Sequence, residues 1–212
     1  MYISNNLLKS DYHISNTFKS QLQRMKVTRE ACSFFHLNMQ NATSNSMAKE
    51  RQLNSYLELL DHEFTAIGLS ETWFTKANCK LFRLMGYQDE HTVRSDRIGG
   101  GVSLYIKPGI SYKIRKDLIF LEDSIETLFV EISSSCLNID KNLVVGVVYR
   151  PPNTVPADFL DKMSTILRRI GPSTKQCRIM GDFNLNLLDV DNFKPISDFV
   201  DLMFSFSMFP LK

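Results

Sequence analysis

The sequence predicts an α/β fold, and three observations predict it. Four short apolar runs, at residues 32–37, 64–69, 143–148 and 177–180, have the length and content of buried strands. Within each pair of runs lies a stretch of helical period. One is 47–61, with Leu53, Leu57 and Leu60 on one face; the other is 156–170, with a stripe of Phe159, Met163, Ile166, Leu167 and Ile170. Each run also leads into a polar side chain: Asn38, Glu71, Tyr149 and Asp182. Ligands of open α/β sheets bind beyond the carboxyl ends of strands, so chemistry is expected at those four positions.

In chain order, residues 1–30 are polar and read as a leader outside the domain, partly disordered, with a short surface helix through Phe18, Leu22 and Met25. The domain then occupies 31–212. Strand 32–37 reads as buried on both faces by its Phe34-Phe35 pair and ends at Asn38. The Asn, Thr and Ser residues of 41–46 supply cap chemistry for helix 47–61. Strand 64–69 leads to Glu71, a carboxylate that is costly to desolvate unless paired, exposed or bound to a cation. Gly99-Gly100-Gly101 suits a tight turn into strand 102–106 or a close approach to phosphate. No Lys-Ser/Thr follows, so it is not a P-loop. Pro108-Gly109 turns the chain into an edge-like strand, 110–114, with Lys113, Arg115 and Lys116 on its exposed side or beyond its end.

Strand 126–132 and a loop at 133–141 precede 143–148, the most clearly buried strand. Tyr149 closes that strand; its phenol can donate to a phosphate oxygen, and a nearby cation would lower its pKa. Arg150 is assigned no role, and Pro151-Pro152 forces the chain out of the strand. Helix 156–170 is stopped by Gly171-Pro172. After strand 177–180, Asp182 can orient or deprotonate a water and Asn184 can donate to a phosphate oxygen. The competing reading is a loop whose Asp and Asn bond their own backbone. Ile196, Phe199, Val200, Met203 and Phe206 space a last amphipathic helix.

Composition narrows the function classes. The 212 residues are 43% apolar with a net charge of +2, as in an ordinary globular domain. Residues 1–30 carry +3 and the remainder −1, so bulk charge lends no support to a DNA-binding surface, although a local groove can still be basic. The four cysteines lie far apart without metal-ligand spacing. With no secretory signal at the start, reduced thiols and an intracellular setting, the nucleus included, are expected. No run approaches the roughly 20 residues of a membrane span, so no membrane partner is expected.

His36-Leu37-Asn38-Met39, Leu69-Ser70-Glu71-Thr72-Trp73, Val147-Val148-Tyr149-Arg150-Pro151-Pro152-Asn153 and Met180-Gly181-Asp182-Phe183-Asn184 stand in this order. In order and wording they resemble the endonuclease/exonuclease/phosphatase superfamily, the DNase I-like group, and most of all the endonuclease domain of non-LTR retrotransposon polyproteins. The resemblance runs from about Ser33 to the end of the chain. It implies a four-layer α/β/β/α sandwich with the site at one end. It also implies Mg²⁺- or Mn²⁺-assisted hydrolysis of a DNA phosphodiester. Glu71 helped by Asn38 would hold the metal, Asp182 would position the water, and Tyr149 and Asn184 would bind phosphate. Full-length relatives carry a downstream reverse transcriptase domain.

The chain departs from that pattern at its end. Family members continue to a late Asp and a terminal Ser-Asp-His, which have no counterpart after Asn184, since His13, His36, His62 and His91 all lie upstream. The expectation is therefore the first two-thirds of the domain, with the second sheet incomplete, activity impaired, and 202–209 short of packing partners. A non-catalytic module retaining part of the fold, and a phosphatase or phosphodiesterase of the same superfamily, are the alternatives.

Overall fold

Strands of period two with two apolar faces must be covered on both sides, and this chain covers them by stacking two sheets between helices. A computed structural model describes residues 15–26, 32–95, 97–171 and 176–209. Its elements begin with α1 (Ser15–Lys26), β1 (Phe34–Asn38), α2 (Ser46–Leu60), β2 (Ala66–Ser70), β3 (Gln88–Thr92), β4 (Val102–Ile106) and β5 (Tyr112–Ile114). They continue with β6 (Leu121–Glu122), β7 (Ile125–Ile132), α3 (Ser134–Leu137), β8 (Leu143–Tyr149), α4 (Pro156–Ile170), β9 (Gln176–Asp182) and α5 (Lys194–Ser205).

The first sheet has the order β1-β2-β4-β3, and the second β5-β7-β8-β9 with β6 beside β7. β1 and β2 run parallel, as do β8 and β9, while the other pairs are antiparallel. A parallel pair needs a crossover, which α2 supplies in the first sheet and α4 in the second. The inner faces meet through Ala66, Val102, Leu104 and Ile106 from one sheet and Leu128, Val130, Val145 and Val147 from the other. Gly68 permits the approach, because a Cβ there would stand 2.6 Å from Val147. Ile67, Leu69 and Tyr105 face outward into a core with Leu53 and Leu60 of α2. Val144, Val148 and Phe129 face the α4 and α5 side chains Phe159, Met163, Ile166 and Phe199. The result is the expected four-layer α/β/β/α sandwich.

Several expectations are corrected. β1 is the edge of its sheet, so it is only partly buried, and Leu37 is exposed. Phe34 packs between the sheets and Phe35 beneath α2, the two faces the pattern foresaw. The leader helix forms as α1, but Phe18 and Leu22 pack into the core under α2 rather than standing apart. Residues 1–14 and 27–30 of that leader, and Pro172, lie outside the described residues. Arg115 is not on an exposed face: it pairs with Asp117 and Glu131. The 133–141 loop contains the single turn of α3. Residues 202, 203, 204 and 208 do find partners, against the α4–α5 core.

Candidate active site

Register decides which polar residues meet. Asn38 and Ser70 end the parallel pair β1–β2 side by side, and Tyr149 and Asp182 end β8–β9 in the same way. Both pairs finish at the same end of the sandwich, and alternation turns Asn38, Tyr149 and Asp182 toward the space between the sheets. Glu71 follows β2 directly. Four of the five residues singled out in the sequence therefore share one wall.

Asn38 is its centre. Its Nδ2 donates to Glu71 Oε1 at 3.0 Å and to Asp182 Oδ2 at 2.7 Å, bridging the two sheets. Its Oδ1 accepts from the Gln40 amide at 3.0 Å, which fixes which end of the carboxamide faces the carboxylates. Asp182 Oδ1 accepts from the Asn184 amide at 3.0 Å, so the backbone-bonding loop expected as the competing reading is present as well. Asn184 is less free than the sequence suggested: its Nδ2 donates to the Arg150 carbonyl at 2.7 Å, leaving one N–H for a ligand.

Glu71 is held by its backbone. It and Trp73 lie at φ 51 and 58, a region unfavourable for non-glycine residues. Flanking segments stabilise the loop on both sides. Met39, Asn41 and Ala42 amides donate to the carbonyls of Ser70, Glu71 and Thr72, and the Trp73 amide donates to Gly100 at 2.8 Å. Lys49 Nζ gathers the carbonyls of Met39, Gln40 and Asn41 on the far side.

Tyr149 is 5% exposed, and burial first, then neighbouring Glu71, push its phenol pKa well above the ordinary value. Without a cation beside it the phenol is a neutral donor at physiological pH. His36, on the same face of β1, has its pKa pulled down to about 4 by burial, with Asp182 opposing.

Two residues of this region carried no sequence expectation. Glu126 is fully buried opposite Tyr149 in register, and it accepts from Arg94 Nη2 and from the Gly101 amide. Burial raises its pKa, and the Gly101 bond and Arg94 work against that rise. A Cβ at Gly100 would collide with both Glu126 and Arg94, so the glycine turn makes room for this ion pair. The available signal was a Glu at the start of a largely apolar strand.

The donor set fits a hard divalent cation. Two carboxylates face one carboxamide, and among the described residues neither Glu71 nor Asp182 is ion-paired. No group of three or more His, Cys, Asp or Glu there is placed to hold a metal, so a cation would complete its shell with water and substrate oxygens, as magnesium does.

No protein-family model and no curated protein matches the chain. Solved structures do. The endonuclease domain of TRAS1, a telomere-specific non-LTR retrotransposon, superposes with a TM-score of 0.55 at 11% identity, covering 81% of this chain and 68% of that one. The chain has the endonuclease/exonuclease/phosphatase fold. A humanized D. rerio TDP2 shares that fold with a TM-score of 0.54 at 16% identity, over 76% of this chain and 69% of that one. A Bacteroides thetaiotaomicron mannosyl-6-phosphatase has a TM-score of 0.53 at 12% identity, over 80% and 69%. The same fold thus occurs in an endonuclease domain and in a phosphatase.

Proposed function

We propose that this chain is a divalent-metal-dependent phosphodiester hydrolase domain acting on DNA, of the retroelement-endonuclease kind. The single observation that carries the reading is the Asn38 carboxamide bridging Glu71 and Asp182 at the common end of both sheets. Two unneutralised carboxylates facing one cleft call for a cation, and Mg²⁺ or Mn²⁺ on Glu71 would stabilise charge developing on phosphate oxygens. Asn38 then acts chiefly as the donor that holds the two carboxylates apart. Asp182 orients the attacking water, neutral Tyr149 donates toward the phosphate, and the remaining N–H of Asn184 does the same.

Two comparisons support DNA as substrate: the fold is shared with the TRAS1 endonuclease domain and with a D. rerio TDP2 complexed with single-stranded DNA product. In the retroelement setting, the nucleus and a neighbouring reverse transcriptase domain are the associated compartment and partner. The likeness to a mannosyl-6-phosphatase favours phosphomonoester hydrolysis as the second reading.

Plasmid nicking in magnesium tests this reading. Asp182→Asn should lower the nicking rate by about 10²–10⁴-fold, the worth of a positioned base, while leaving the fold intact. Glu71→Ala should abolish the magnesium heat in titration calorimetry. An Asp182→Asn protein that nicks like wild type but melts earlier would make the loop structural and the reading wrong.

A further inference from the structure

Arg150 follows β8 directly and has no part in the reading above. It is 4% exposed, and among the described residues no carboxylate pairs with its charge. A guanidinium buried without an anion is costly, so its surroundings should offset the loss of water. They consist of carbonyl oxygens. Nη1 donates to Asn184 at 3.0 Å and Phe183 at 3.5 Å, and Nη2 donates to Thr154 at 2.5 Å. The backbone completes the circuit. The Arg150 amide donates to the Asp182 carbonyl at 2.9 Å, and the Arg150 carbonyl accepts from Asn184 Nδ2 at 2.7 Å. Two strand-end loops, 150–154 and 182–184, are thereby locked together. Asn184 lies at φ 46, in the left-handed region that asparagine enters more readily than most residues, and the bonds just described hold it there.

We propose that Arg150 is the positioning residue of the Asp182–Asn184 loop. Its planar fork spans the carbonyls of Asn184 and Thr154 and so fixes where the Asp182 carboxylate and the Asn184 amide point, without touching substrate. An ammonium cannot span both sites, so lysine is not a conservative replacement. The catalytic consequence rests on the phosphodiesterase reading; the clamp does not.

The test is a double-mutant cycle on the whole chain, with nicking kinetics and amide hydrogen exchange read in parallel. Arg150→Ala should lower kcat about 10²-fold, the scale of a misplaced catalytic group, with the KM for DNA nearly unchanged. Arg150→Lys should recover little of it, and if the alanine variant does not fold, the lysine variant carries the same comparison. In an Asn184→Ala background the Arg150 change should add little, because both act through one loop. Exchange should quicken at 182–184 while β7 and β8 keep their protection. Fully multiplicative effects, or a raised KM with unchanged kcat, would overturn the proposal. Should the wild-type chain cut no DNA, the proposed reaction fails but exchange still decides the clamp. Faster exchange confined to the loop supports it, and unchanged or uniformly faster exchange refutes it.

Discussion

Asn38 shows how one side chain can organise a site, since a carboxamide alone among the polar groups offers two N–H donors to two acids and an oxygen to the backbone. Two residues earlier, His36 lies on the same inner face and bonds Ser70 Oγ through Nε2 at 3.1 Å. Its folded pKa of about 4 lies below the ordinary 6.5 because burial disfavours the imidazolium. Between those values the unfolded chain binds the extra proton, so stability is full above pH 6.5 and falls as pH drops toward 4, by up to about 3 kcal/mol. Urea titrations at pH 7 and pH 4.5 should show this loss in the wild type and a much smaller one in His36→Gln. Equal losses would assign the pH dependence to other groups.

Among elements, β9 does the most to place the site, because it carries Asp182 to the cleft; among the described residues it pairs with β8 alone. Gly181, at φ 152, lies so close to β8 that a Cβ would overlap the Val148 carbonyl. Gly181→Ala should therefore push the end of β9 outward, costing roughly 1–3 kcal/mol by overpacking. It should also lower nicking disproportionately, since Asp182 is the next residue. Thermal melting and the nicking assay together check this, and a variant matching wild type in both would contradict it. Helix α4 was fully legible, its apolar stripe and its bounds agreeing with the sequence pattern. Strand β3 was not, because Gln88-Asp89-Glu90-His91-Thr92 lacks apolar alternation. It is a strand by virtue of its pairing with β4 and of His91, which bonds Asp89 and Ser103 and packs edge-on against Phe74 and Tyr105.

For the molecule as a whole, the notable surface is the side where the edge strands β1 and β9 lie together. A groove of about 760 Å³ there is lined largely by apolar side chains, among them Phe34, Met180, Phe183, Phe204 and Met208. Phe209 is 61% exposed beside it. An open strand edge bordered by apolar surface favours association between copies. Light scattering should show a mass that rises with concentration, and Met208→Lys combined with Phe209→Lys should reduce it. A monomer at every concentration would show that the groove is closed in solution.

The sequence by itself determined the class of fold, most of the strands and helices, and the residues that end the four parallel-paired strands β1, β2, β8 and β9. These are local matters: periodicity reports which face of an element is apolar, and a polar residue after an apolar run marks where a strand leaves the core. Only the tertiary structure decided that Asn38 would reach Asp182 across 144 positions of sequence, that burial and Glu71 would push the Tyr149 phenol above its ordinary pKa, and that Arg150 and Glu126 would be buried beside the site. Those outcomes depend on register and on the stacking of two sheets. They set distances and desolvation between residues that no local pattern connects.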